Sequence, residues 1–294
     1  MIKLYSYGKI NLFLDIEGKL PNGYHLIKTI MQSIDMHDEI IIEELQSNEI
    51  IIECSEKSIP TDKRNTCYKA SSIIKEKYNI PNGIFIKINK NIPSEAGLAG
   101  GSGNSAAVIK GLNKLWNLNM NNNEMMEIGL KIGADVPFCI MGGTYLAEGI
   151  GEKLTKLEDF IWDNILIAKP NFSMSTAFVY QELTQNDYNS YTNNHMIKLI
   201  KEHKYNDAAI STANTLEKVV EKIHPEINNI KSIMKENGAI SSMMTGSGSA
   251  IFGLFSDETS LDNAFNILKK KSYTNIYKSK TVNKGIDYLV WNVL

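Results

Sequence analysis

The stretch Ile92-Pro93-Ser94-Glu95-Ala96-Gly97-Leu98-Ala99-Gly100-Gly101-Ser102-Gly103-Asn104-Ser105-Ala106-Ala107 constrains this chain more than any other. An apolar stripe at helical spacing follows it, Val108, Ile109, Leu112, Leu115 and Trp116, so a helix must begin inside or just after the glycines. Small residues let the backbone come close to a ligand. The first N–H groups of the helix, together with its dipole, favour a bound negative charge. The loop therefore reads as a phosphate cradle that opens onto a helix.

Competing readings of the loop separate on chemistry. A P-loop needs a lysine followed by Ser or Thr after its second glycine, and none is present. Gly101-x-Gly103-x-x-Ala106 fits the dinucleotide fingerprint formally, but the preceding strand stops several residues too early and no acid follows at the expected distance. A turn that caps a helix without binding anything stays open, although four glycines and three small polar residues exceed what a cap requires.

At 294 residues the chain is long enough for two domains and a cleft between them. Its 43% hydrophobic and 22% charged content is that of an ordinary globular protein, and a net charge of −2 gives no electrostatic case for nucleic acid or a membrane surface. Any phosphate must then be held by local groups. Cys54, Cys67 and Cys139 are widely spaced and odd in number, which reads as reduced core thiols. With no leader pattern and no segment long enough to span a bilayer, a cytoplasmic protein is expected.

Periodicity predicts strands over 2–14, 39–45, 49–54 and 84–89, and helices over 65–78, behind the glycine loop, and over 122–132. A further segment over 136–145 enters through Pro137 and ends near Gly142-Gly143. The polar stretch 158–163 sets a boundary, giving domains 1–160 and 161–294. Beyond it come a strand at 165–168, helices near 175–183, 195–203, 206–222 and 225–236, strands at 239–244 and 249–255, a helix near 260–271, and strands at 274–281 and 287–293. Helices and strands are partly segregated, which is an α+β pattern without internal repeats.

Several residues could carry chemistry. Lys9 and Asn11 alternate with Ile10 and Leu12 and so share one strand face, either simply solvated or part of one site. Asp135, in Gly133-Ala134-Asp135-Val136-Pro137, is an ordinary helix cap or a carboxylate that accepts a substrate proton beside a lysine. Asn22-Gly23-Tyr24-His25 is a turn followed by a stacking ring and a hydrogen-bonding ring, a pair suited to a nucleobase. His37, His195, His203 and His224 lack metal spacing, and Thr245-Gly246-Ser247-Gly248-Ser249-Ala250 is a hairpin turn or a second oxyanion loop.

Taken in order, Gly8-Lys9-Ile10-Asn11-Leu12, the 93–107 loop, Gly133-Ala134-Asp135-Val136-Pro137 and Gly246-Ser247-Gly248-Ser249 resemble the GHMP kinases through most of the chain. The 15–38 stretch, with Gly149-Ile150-Gly151-Glu152 and Asn214-Thr215-Leu216-Glu217, is similar to the branch acting on a cytidine diphosphate-linked methylerythritol. The resemblance implies ATP-dependent phosphorylation of that compound's 2-hydroxyl in the non-mevalonate isoprenoid pathway. It also implies Mg2+ with the ATP, and neither nucleic acid, membrane nor obligate protein partner. The implied fold is a two-domain α+β GHMP kinase, ribosomal protein S5 domain 2-like at the N-terminus and ferredoxin-like at the C-terminus.

By position, the resemblance makes Lys9 and Asp135 the catalytic pair, with Asn11 beside them. Asn65, Pro93, Gly97, Leu98, Ala99, Gly100, Gly101, Ser102, Gly103, Asn104 and Ser105 fall on nucleotide-binding positions. Tyr24, His25, Thr176 and Tyr180 fall on substrate positions, the three rings enclosing the cytosine; no dedicated carboxylate cage is evident, consistent with a metal held largely by phosphates and water, and no metal ligand is named. That ring set argues against the homoserine, mevalonate and sugar kinases of the superfamily, and the Lys9/Asp135 pair argues against a non-catalytic nucleotide- or RNA-binding protein. Two departures stand out: Gly8 where the family commonly has alanine, and Gly103 where it usually has Ser or Thr. The second is expected to remove one hydroxyl from the phosphate loop, worth about 1 kcal/mol of nucleotide binding.

Overall fold

The first two strands decide the architecture. In the computed structural model, which describes residues 1–289, β1 (Ile2–Lys19) and β2 (His25–Leu45) form a long antiparallel ribbon running from Ile2 opposite Ile42 to Lys19 opposite His25. Register shifts at Tyr7/Gly8, Asn11/Phe13 and Ile16/Gly18 bend and twist it. The stretch 25–38, unassigned from periodicity, is thus strand. Residues 29–34 are buried on both faces and the shifts interrupt the period of two, so no apolar/polar alternation marks them.

Around this ribbon, β3 (Ile50–Cys54) and β4 (Gly83–Asn89) extend the sheet from β2, and the hairpin β5 (Thr144–Glu148) with β6 (Lys153–Lys156) pairs β2 at Thr29–Gln32. The helices α1 (Thr66–Tyr78), α2 (Gly100–Leu115), α3 (Asn122–Leu130) and α4 (Val136–Met141) share a core with Leu4, Ile40, Ile42 and Ile86 of this sheet. A Cβ at Gly103 would lie 2.6 Å from Ser6 Oγ, so glycine there lets the start of α2 approach β1 closely.

A second sheet has the antiparallel order β11–β7–β10–β9, built from β7 (Ile165–Ala168), β9 (Ala239–Met244), β10 (Ile251–Phe255) and β11 (Ile276–Ser279). Its residues alternate: Ile165, Ile167, Phe252 and Leu254 pack with Ile10, Leu12 and Phe13 of β1, whereas Leu166, Ala168 and Ile251 pack under a helical layer. Next in the chain after β7 come α5 (Thr176–Gln181), α6 (Asn194–Lys201) and α7 (Tyr205–Ile210). The layer itself consists of α8 (Glu217–Ile223), α9 (Glu226–Glu236) and α10 (Glu258–Lys270).

One helix was expected over 206–222, but the chain breaks it into α7, the two-residue strand β8 (Ala213–Asn214) and α8. Ala213 and Asn214 instead run extended, and β8 pairs in parallel with Phe13 and Leu14. The final described strand, β12 (Ile286–Leu289), returns to pair β1 from Lys3 to Ser6; the end of the expected 287–293 strand lies outside the described residues. Cys67 and Cys139 are buried, with burial pushing the Cys67 thiol up to about 12, while Cys54 is only half-buried. Among the described residues no helix is long and apolar enough to cross a membrane.

The entry to the glycine loop is fixed by a buried ion pair. Asp38, fully buried on β2, accepts hydrogen bonds from the N–H groups of Asn91 (2.7 Å) and Ile92 (2.8 Å) and pairs with the buried ammonium of Lys90. Asp38→Ala would leave that ammonium without its partner, and should destabilise the fold by about 3–5 kcal/mol in urea denaturation, with Lys90→Met in the same chain recovering part of the loss.

Candidate active site

A cleft of about 1190 Å³ runs across the face where β1 meets the second half of the chain. Lys9 and Asn11 reach it from β1 because their neighbours Ile10 and Leu12 turn the opposite way, into the core. A merely solvated strand face is excluded, since Lys9 is 4% and Asn11 3% exposed. The Lys9 ammonium donates to Asn11 Oδ1 at 2.7 Å and to the Gly97 carbonyl at 2.8 Å. Asn11 in turn donates through Nδ2 to Thr29 Oγ1 at 2.8 Å, and Thr29 donates to the Phe13 carbonyl at 2.6 Å. A buried cation is thus supplied with acceptors that are themselves anchored.

Asp135 comes from the turn between α3 and α4. It precedes the first residue of α4, but its side chain makes no capping hydrogen bond. Partly exposed instead, its carboxylate lies with Oδ2 3.7 Å from Lys9 Nζ. The ammonium and the carboxylate, remote in sequence, share one wall of the cleft.

The glycine loop follows an alternating path, with left-handed φ at Glu95 (53°), Gly97 (75°) and Ala99 (56°), before α2 begins at Gly100. Ala99 offers no side-chain cap, so the N–H groups of the first turn of α2 have no partner within the helix and open on the cleft. Pro93, Gly97, Leu98, Ala99, Gly100, Gly101, Ser102 and Asn104 line it. Gly103 and Ser105 do not: the Gly103 N–H donates to the Ala99 carbonyl at 2.8 Å, and Ser105 Oγ to the Gly101 carbonyl at 3.0 Å. The expected lost phosphate contact at Gly103 is therefore revised, because a side chain there would meet Ser6 and β1 rather than the cradle.

Thr245-Gly246-Ser247-Gly248, between β9 and β10, packs backbone to backbone on the first loop. A Cβ on Gly97 would collide with the Thr245 carbonyl, and the Ala250 N–H donates to the Ala96 carbonyl at 3.1 Å. This segment is both a hairpin connection and a cleft wall. Its Ser247 hydroxyl meets Thr176 Oγ1 at 2.8 Å, which ties the start of α5 to the same wall.

At the other end, His25 lies with its ring centroid 5.2 Å from Tyr180 and 6.0 Å from Tyr188. His25 is buried and its Nε2 has no hydrogen-bond partner. Burial, aided by the charge of Lys19, lowers its pKa, so the imidazole is neutral at neutral pH; burial and the charge of Asp135 push the Tyr180 phenol up. Tyr24 sits 60% exposed at the rim. Asn65 lines the opposite end of the cleft, but its side chain is committed locally, accepting from the Cys67 N–H at 2.8 Å and donating to the Pro60 carbonyl at 2.7 Å. Thr29 and Lys90 also line the cleft with no sequence signal to mark them, Thr29 because irregular alternation hides β2 over that stretch; Ser247 does so as part of the second glycine loop.

The fold and this wall of paired glycine loops define a small-molecule phosphotransferase class. Family models for the GHMP kinases N terminal domain and the GHMP kinases C terminal domain match residues 65–143 and 196–274, and the chain belongs to the GHMP kinases. A relative from Caldicellulosiruptor bescii, 46% identical with 94% of this chain and 95% of its own length covered, is named 4-diphosphocytidyl-2-C-methyl-D-erythritol kinase. So is one from Clostridioides difficile, 45% identical over 97% of both chains. A crystal structure of 4-(cytidine 5'-diphospho)-2C-methyl-D-erythritol kinase superposes with a TM-score of 0.81 at 24% identity, covering 95% of this chain and 98% of the other, and a homoserine kinase from Cytophaga hutchinsonii with 0.77 at 17%, covering 98% and 97%. Both share the two-domain α+β fold.

The buried imidazole carries a measurable consequence. A histidine whose folded pKa lies below its unfolded value of 6.5 contributes full stability above 6.5 and loses it as pH falls towards the folded value. Between pH 7.5 and 5.5 the urea midpoint should fall further for the parent chain than for His25→Gln.

Proposed function

We propose that the chain transfers the γ-phosphoryl group of ATP to the 2-hydroxyl of 4-diphosphocytidyl-2-C-methyl-D-erythritol, a step of the non-mevalonate isoprenoid pathway. The observation that carries this reading is the 3.7 Å approach of Lys9 Nζ to Asp135 Oδ2 in the cleft that holds the glycine cradle at one end and the unpartnered imidazole of His25 at the other. The relatives' shared name supplies the substrate.

On this reading Asp135 accepts the proton of the 2-hydroxyl as its oxygen bonds to the γ-phosphorus, the bridging oxygen leaves with ADP, and Lys9 offsets the charge on the equatorial oxygens. The free N–H groups opening α2 hold the phosphates. Neutral His25, with Nε2 open, hydrogen-bonds the cytosine, which Tyr180 and Tyr24 flank, while Asn11 and Thr176 border the alcohol. The phosphoryl acceptor and donor are then aligned by groups that are fixed before either arrives.

Mg2+ entering with the triphosphate would neutralise charge on the phosphate oxygens. Ser102, a hard oxygen donor bordering the cradle, suits such an ion; among the described residues no group of three His, Cys, Asp or Glu side chains is placed to hold one by itself, so phosphates and water would complete its shell. Residues 1–160 would form the ATP-binding domain and 161–294 the C-terminal domain, working in the cytoplasm without a protein partner.

Asp135→Asn should lower kcat by about 10²–10⁴-fold with the KM for both substrates little changed, measured by coupled ADP release. CMP should compete with the alcohol substrate and not with ATP; a lack of competition would redirect the reading to a homoserine, mevalonate or sugar kinase.

A further inference from the structure

We propose that Asn214 is a positioning residue for the Lys9 ammonium, acting through the second glycine loop. This deepens the kinase reading above and rests on it. Asn214 occupies the short strand β8, is buried, and does not border the cleft. Its Oδ1 accepts the Leu216 N–H at 2.9 Å, and its Nδ2 donates to two carbonyls at once, Met244 at 2.8 Å and Gly246 at 2.9 Å. Both donors of one amide are thus spent on the residues either side of Thr245.

Thr245 is the next link. Its hydroxyl accepts from the Asn11 N–H at 3.0 Å and donates to Asn11 Oδ1 at 3.2 Å, the same oxygen that receives the Lys9 ammonium at 2.7 Å. The backbone at Gly246 is the wall behind that ammonium, since a Cβ there would stand 3.3 Å from Lys9 Nζ. One residue before the threonine, the Met244 N–H donates to Glu217 Oε2 at 2.6 Å, and Glu217 is paired with Lys231, which also binds Glu221 at 2.6 Å. The Asn214-Thr215-Leu216-Glu217 segment therefore grips the loop on its carbonyl side through Asn214 and on its N–H side through Glu217. A loop released from Asn214 would carry Thr245, and with it Asn11 Oδ1, out of register with the reacting atoms, where displacements near 1 Å cost about 10²-fold.

The alternative is that Asn214 only stabilises the hairpin, and kinetics separate the two. Asn214→Asp keeps the acceptor for Leu216 but loses both donated bonds. It should lower kcat about 10–100-fold while the KM values for ATP and the cytidyl alcohol stay within about threefold, because the two bonds lost are made neither to the N–H groups that open α2 nor to His25. Thr245→Val should give a similar loss and Thr245→Ser should restore turnover to within about threefold. In the Asn214→Asp/Thr245→Val double variant the kcat losses should not multiply. If the aspartate variant does not fold, Asn214→Ser takes its place in the same measurements.

The proposal is overturned if the folded Asn214 variant keeps kcat within about threefold of the parent, if the loss falls in KM, or if the two kcat losses multiply. It is also overturned if Thr245→Ser does not restore turnover. A parent chain that turns over neither substrate would instead refute the kinase reading, so the two failures are distinguishable.

Discussion

A charged ammonium taken out of water must be repaid in acceptors, and the centre of this molecule is organised around that requirement. Lys9 is almost fully buried, and its acceptors come from three parts of the chain: Asn11 two residues on, the Gly97 carbonyl in the glycine loop, and the carboxylate of Asp135 across the wall. None of the three could be moved alone. The glycine loop must turn its carbonyl at Gly97 inward, which a positive φ there permits, and that leaves the following N–H groups facing the cleft. The same turn that feeds the cation therefore prepares the anion site.

How much of this was legible in the sequence depends on range. The loop at 93–107 and the helix behind it were readable because glycine freedom and a 3.6-residue stripe act within one segment. The shared face of Lys9 and Asn11 followed from alternation in the same way, but whether that face was wet or buried could not. Their burial is decided by Thr29, Gly97 and Thr245, which approach from other segments. That Asp135 meets Lys9 came from resemblance and not from spacing.

The misses share a physical origin. The stretch 25–38 is strand only because bulged pairing with β1 and burial on both faces override its irregular pattern. Residues 206–222 carry enough helical character to suggest one helix, yet Asn214 gains more from pairing beside β1 and from two carbonyls of a distant hairpin than from continuing a turn. At Gly103, a reading by analogy assigned a missing hydroxyl to the phosphate loop, whereas the helix turns that position onto Ser6. Local rules failed wherever a tertiary partner outbid them.

The double use of β1 has a consequence for how the chain comes into being. One stretch of that strand is covered by β12 and another by the two-residue β8, so a ribbon of β1 and β2 alone retains unpaired main-chain groups until both of those later segments have been made. An incomplete nascent chain presents an open sheet edge to its neighbours. Pairing by β12 closes the Lys3–Ser6 stretch of that edge, and with it the opening through which a second chain could add a strand.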